Sequence, residues 1–195
     1  MSRITIAFLR TGVFSLAVVF FLTGLCHAQQ FQPIDKSTIT IFDSFMAFNG
    51  YDAFYCLDTT GNGPVSADNQ FITDYASNGG GTNTFLSFDF GQQYTFAAIL
   101  FTDRTTSGGP NDKYVGGTFD FNTSYMFTFS NDQTFTNNLG TVVVTVNPPS
   151  QPTTIDSFQT LSIISGIPPA QYVQWQVLST NGNNPGASDF AFFAQ

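Results

Sequence analysis

The chain has 195 residues, of which 42% are hydrophobic, 16% aromatic and only 9% charged. That length corresponds to one domain with a real core, and the composition is the reverse of the charge-rich, aromatic-poor profile of a disordered chain. The acidic total is 13, every one of them Asp, against 5 Lys and Arg, for a formal net charge of −8. So few cations argue against phosphate neutralisation on nucleic acid and against anionic membrane surfaces. Glu is absent and Lys and Arg are scarce, although all three are good helix formers, while Phe occurs 24 times. An all-β protein is expected.

The first 28 residues look like a signal peptide. Arg3 and Arg10 give a positive start, and Thr11 to Leu25 is uncharged and mostly apolar. This run falls short of the ~20 residues of a spanning helix. It ends in Cys26-His27-Ala28, with small residues at the positions a signal peptidase reads. Cleavage after Ala28 leaves a single domain, 29–195, that is secreted, extracellular or periplasmic. An uncleaved anchor and a lipid on Cys26 are the alternatives. The mature chain keeps Lys36, Arg104 and Lys113 as its only basic residues, three charges against thirteen, a net of −10. It also loses the one His, and Cys56 becomes its sole Cys. Cys56 sits in the apolar run Phe54–Leu57, which favours a buried thiol over an interchain disulfide.

Strands follow in chain order, each recognised by alternation or by β-branched and aromatic residues. Ser37–Ile41 carries Ile39 and Ile41 on one face. Thr84–Phe90 sets Leu86, Phe88 and Phe90 against Phe85, Ser87 and Asp89. Tyr94–Thr102 is apolar on both faces, as a central strand would be. Tyr125–Ser130 aligns Tyr125, Phe127 and Phe129, and Thr141–Val146 is β-branched. Gln171–Leu178 turns Val173, Trp175 and Val177 inward, and Phe190–Phe193 closes the chain. Turn clusters separate them at Gly61–Pro64, Asn78–Gly81, Ser107–Asp112, Asn147–Pro152 and Asn181–Gly186. This pattern indicates a β-sandwich or jelly roll.

Several of these segments resemble the discoidin, or coagulation-factor type C, family, in the family's order. Thr84–Tyr94, with Asp89 and Gly91, is similar to its Asp-Leu-Gly strand and turn, and Ala98–Arg104 to the strand that follows. Tyr125–Phe135 resembles the "Tyr…Ser-x-Asp-Gly-x-x-Trp" hairpin, with Gln133 for Gly and Phe135 near the Trp. Gln171–Trp175 resembles "Arg-Tyr-Val-Arg" without the arginines, and Gly186–Phe190 resembles "Gly-Leu-x-Glu-Ile", with Asp189 for Glu. The resemblance implies a galactose-binding-like jelly roll of about eight antiparallel strands.

Ala67–Tyr75 resembles the family loop that in carbohydrate-binding members often holds a structural calcium. By that resemblance Asp68, Gln70 and Thr73 would supply oxygens, and Asp189 would complete the site. Carboxylates, hydroxyls and carbonyls suit a hard cation taking 6–8 oxygens. The competing reading is that Asp68 and Thr73 only cap a turn.

Catalysis is not expected. Without a His or Glu in the mature chain, a Ser-His-Asp triad cannot be assembled, and zinc lacks its usual ligands. The Asp residues fall mostly in turns. The resemblance implies instead a binding module, with glycans as partners, acting through loops at one end of the sandwich. Sugar hydroxyls need polar groups, since burying them unpaired is costly. Arg104, Asn111 and Asp112 on one loop and the tip Asn181, Asn183 and Asn184 are candidates for that role, with Tyr51 and Tyr55 as an aromatic platform. Each also has a plain structural reading: an Arg104–Asp103 pair, a turn, core or edge tyrosines. Trp175 belongs to the core. The alternative function is a structural or adhesive matrix or envelope protein that assembles or binds other proteins.

Overall fold

The computed structural model describes residues 31–43, 53–57, 75–77, 79–103, 121–147 and 159–195. Strands dominate them, in two antiparallel sheets. The first sheet contains β1 (Gln32–Pro33), β3 (Tyr75–Ala76), β5 (Phe96–Asp103), β8 (Gln159–Ile163) and β10 (Gly186–Ala194). Its order is β1-β10-β5-β8, with β3 beside the start of β10. The second contains β2 (Thr40–Asp43), β4 (Phe85–Tyr94), β6 (Asn122–Ser130), β7 (Asn138–Thr145) and β9 (Ala170–Thr180), in the order β2-β4-β9-β6-β7. The expected sandwich is therefore observed.

Alternation decides what each sheet buries. Leu86 and Phe88 of β4, Tyr125, Phe127 and Phe129 of β6, and Val173, Trp175 and Val177 of β9 are all fully buried. They meet Ile99 and Phe101 of β5 and Phe190 and Phe192 of β10. The high Phe content is spent here. Ring centroids lie 4.9 Å apart for Phe88–Phe190, 5.0 Å for Phe88–Phe192 and 4.6 Å for Phe101–Tyr125, mostly edge-on or tilted. Such pairs contribute roughly 0.5–1.5 kcal/mol each beyond area burial. Cys56, on the 3-10 turn Ala53–Leu57, is buried as expected, its thiol donating to the Ala53 carbonyl.

Several boundaries differ from those expected, β6, β7 and β10 starting earlier, at Asn122, Asn138 and Gly186. The first long strand starts at Thr40, because Asp35 caps Ser37 N–H at 2.9 Å and Thr38 Oγ1 donates back to the Asp35 carbonyl, winding Lys36–Thr38 into a 3-10 turn. Tyr94 ends β4 instead of opening β5. Gly91, inside β4, adopts φ +69° where the β4–β9 register shifts between Asp89 and Tyr94, and the Asp89 carboxylate accepts Gly91 N–H at 2.8 Å. The Asp-x-Gly feature of the resemblance is thus a lock within β4. Strand β8 was not anticipated at all.

The Ser-x-Asp hairpin is a second lock. Ser130 Oγ accepts Asp132 N–H and donates to the Asn137 carbonyl. Asp132 then accepts from Thr134 N–H at 3.0 Å, Thr134 Oγ1 at 2.7 Å and Thr136 Oγ1. These donors, the Thr136 and Thr134 hydroxyls foremost, pull the Asp132 pKa down to about 2.

Candidate functional site

Strand directions sort the connections. At one end lie the turns 131–137 and 164–169 and the start of β1 beside the end of β10. At the other end β5 and β9 stop and β6 and β10 begin. Asp103 and Phe121, the described residues that flank 104–120, both lie at this end, and Phe121 meets the 181–185 connection.

This second end is built on a buried clamp. Asp103 is 1% exposed and Asn122 fully buried. The Asp103 carboxylate accepts Asn122 N–H at 2.9 Å and Asn122 Nδ2–H at 2.6 Å, and the same amide donates to the Gly186 carbonyl at 2.8 Å. A buried carboxylate is costly unless hydrogen-bonded, and these donors offset that cost. The clamp joins the ends of β5, β6 and β10 beneath the loops. Sequence reading assigned Asp103 only a pairing with Arg104, and nothing in the local sequence separates it from the other aspartates.

The 181–185 tip is held from both sides. Asn181 N–H donates to the Phe121 carbonyl at 3.2 Å and Gly182 N–H to Thr180 Oγ1 at 3.3 Å. From across the sheets, Gly81 N–H donates to the Asn183 carbonyl at 3.1 Å, Gly79 N–H to Asn184 Oδ1 at 2.9 Å and Ser77 N–H to the Pro185 carbonyl at 3.0 Å. Gly79 adopts φ +77° and Gly81 φ +50°, which L side chains rarely reach.

The three candidate asparagines therefore divide. Asn184 is half-buried and its amide oxygen is committed to the loop opposite. Asn181 and Asn183 are exposed. The Asn183 backbone is fixed while its side-chain amide remains at the surface, a placement that can offer a donor and an acceptor together. Arg104, Asn111, Asp112 and Tyr51 lie outside the described residues, as does the Tyr55 side chain, although the backbone of Tyr55 belongs to the turn Ala53–Leu57. Trp175 is fully buried, as expected.

Of the expected calcium donors, Asp68, Gln70 and Thr73 also lie outside the described residues. Asp189 can be placed: its carboxylate forms an ion pair with the Lys36 ammonium, both side chains 17% exposed. An ammonium at that carboxylate would compete with a divalent cation there. The pair links the turn Lys36–Thr38 to the last strand.

No protein-family profile matches the sequence, and no curated protein matches it. Solved structures do. A family 32 carbohydrate-binding module of C. perfringens NanJ, in complex with galactose, is similar over 84% of this chain and 99% of that one, at 13% identity and a TM-score of 0.56. A Streptococcus pneumoniae fucose-binding module is similar over 87% and 100%, at 10% identity and a TM-score of 0.59. A mutant of the lectin binding domain of lectinolysin, complexed with Lewis b, is similar over 85% and 99%, at 11% identity and a TM-score of 0.59. The chain therefore has the galactose-binding-like, discoidin-type fold that the sequence resemblance implied.

Proposed function

We propose that this protein is an exported, non-catalytic module that binds uncharged sugars through the loops around Asn181–Pro185 and 104–120. The observation that carries this reading is the fold it shares with modules solved in complex with galactose and Lewis b and with a fucose-binding module. The rigid tip supports it. Loops position polar groups best when a scaffold fixes their backbone, and Asn183 is fixed by its carbonyl while its amide stays exposed. The same end receives both ends of the segment carrying Arg104, Asn111 and Asp112, whose cation, amide and carboxylate match vicinal hydroxyls.

Net charge narrows the ligand. A chain at −8 repels sialylated or sulfated glycans, which leaves neutral hexoses, N-acetylhexosamines and deoxyhexoses. A glycan-array screen of the folded protein tests this. Selective signals on neutral terminal sugars support the proposal, and silence or a preference for acidic glycans refutes it.

A further inference from the structure

The edge strands are not anchored alike. β7, at the edge of the second sheet, packs Leu139, Val142 and Val144 against the core. β1, at one edge of the first sheet, leads into Ile34, which is buried and donates its N–H to the Phe192 carbonyl at 2.9 Å. β8, at the other edge, is inverted. Leu161 and Ile163 point to solvent, 55% and 58% exposed, while Thr160 and Ser162 point inward. The Tyr125 hydroxyl of β6 faces this inward pair, yet among the described residues neither it nor Ser162 Oγ makes a hydrogen bond. A buried hydroxyl without a partner costs stability, and a Leu and an Ile left in water gain little from burial. β8 is therefore held mainly by its five-residue ladder to β5, the one strand it pairs with among the described residues. Ile164, buried just past the strand, pins the far end by donating its N–H to the Ala97 carbonyl at 2.8 Å. Bonded pairs alternate along an antiparallel ladder, so Ser162 bonds with Ile99 and Thr160 with Phe101. Leu100, between them on β5, bonds with Ala191 of β10.

We propose that β8 is a detachable strand, which peels from β5 at its Gln159 end and pivots at Ile164 while the rest of the sandwich stays folded. Two independent features drive it: polar groups buried without partners beneath the strand, and apolar groups exposed above it. Local units of this kind open at a fraction of the cost of global unfolding. The end that opens is where Gln159 pairs with Thr102, next to the Asp103–Asn122 clamp. Once β8 is off, β5 presents the N–H and C=O groups of Ile99 and Phe101. That is an open edge of the sort an extended strand occupies. The fold thus carries a covered strand-accepting edge, with β8 as its cover.

Residue-resolved amide hydrogen exchange of the folded protein, followed by NMR from zero to about 1 M urea, tests this. The N–H groups of Thr160, Ser162, Ile99 and Phe101 are expected to exchange together, at least about 100-fold faster than those of Leu100 and Trp175. Their urea dependence should be shallower, because peeling one strand exposes little surface. A reversible lock gives a second readout. Leu100 and Leu161 lie directly opposite in a non-hydrogen-bonded pair, so Leu100→Cys with Leu161→Cys should crosslink on oxidation. The crosslink should slow the four amides at least about tenfold more than it slows Trp175, and reduction should reverse this. The wild-type pattern decides by itself if the variant does not fold or crosslink. Ile99 and Phe101 amides as protected as Leu100, or four amides that the crosslink does not slow, would overturn the proposal.

Discussion

Asp103 and Asn122 close on each other at the base of the segment between them, both N–H groups of Asn122 donating to one carboxylate at 2.9 and 2.6 Å. The two residues are 19 apart in sequence, and one hydrogen-bonded unit holds three strand ends where the proposed binding loops emerge. Asn122→Ala removes the side-chain donor and leaves a buried carboxylate short of a partner. A loss of about 2–4 kcal/mol is expected, measured by urea unfolding. A loss under about 1 kcal/mol would mean that the clamp is solvated or replaceable.

The Lys36–Asp189 pair makes a statement about metals. With the ammonium in place, stripping metal from the wild type should leave Tm unchanged within about 1 °C, since a ligand that does not bind the native state cannot stabilise it. Calorimetry before and after chelation checks this. A drop of several degrees that calcium alone restores would show that the native state binds calcium. Lys36→Ala itself should cost only about 1 kcal/mol, as partly exposed ion pairs do.

Acid should act through Asp132. Its folded pKa is lowered from the ordinary 3.8 to about 2 by the Thr136 and Thr134 hydroxyls and the Thr134 N–H. A depressed carboxylate stabilises the fold above its unfolded pKa and loses that contribution as pH falls towards the folded value. Wild type should therefore exceed Asp132→Ala in Tm at pH 6, and the gap should close between about pH 4 and pH 2. A gap that persists at pH 2 would assign the effect to packing.

Gly140 has no room for a side chain. A Cβ there would lie 3.0 Å from Ile167 Cγ1 and 3.2 Å from its Cδ1. Gly140→Ala should cost about 1–2 kcal/mol by overpacking, and most of that cost should vanish in an Ile167→Ala background. A double-mutant cycle reads the coupling, and additive effects would contradict the contact.

Legibility followed the physics of each element. Trp175, Tyr125 and the alternating phenylalanines were readable because period-two patterning and core burial coincide on β4, β6 and β9. Strand β8 was unreadable for the opposite reason: Leu161 and Ile163 face outward, so its pattern does not mark a core face. The Lys36–Thr38 turn replaced expected strand because a local Asp35 cap outcompeted alternation. At the proposed site the Asn181–Gly186 connection was visible as a turn cluster. The Asp103–Asn122 clamp was not, because a buried carboxylate is recognised only by partners that the fold brings together. The division of labour between Asn183 and Asn184 likewise depends on the facing loop at Gly79 and Gly81.

Sugar binding at this end is tested most directly by calorimetric titration of the folded protein with galactose, N-acetylgalactosamine and fucose, beside Asn183→Ala and the opposite-end control Gln133→Ala. Saturable binding of at least one sugar is predicted, weakened about tenfold or more by Asn183→Ala, the cost of one well-placed polar contact, and unchanged by Gln133→Ala. Binding untouched by Asn183→Ala but lost with Gln133→Ala, or no binding of any neutral sugar, would contradict the account.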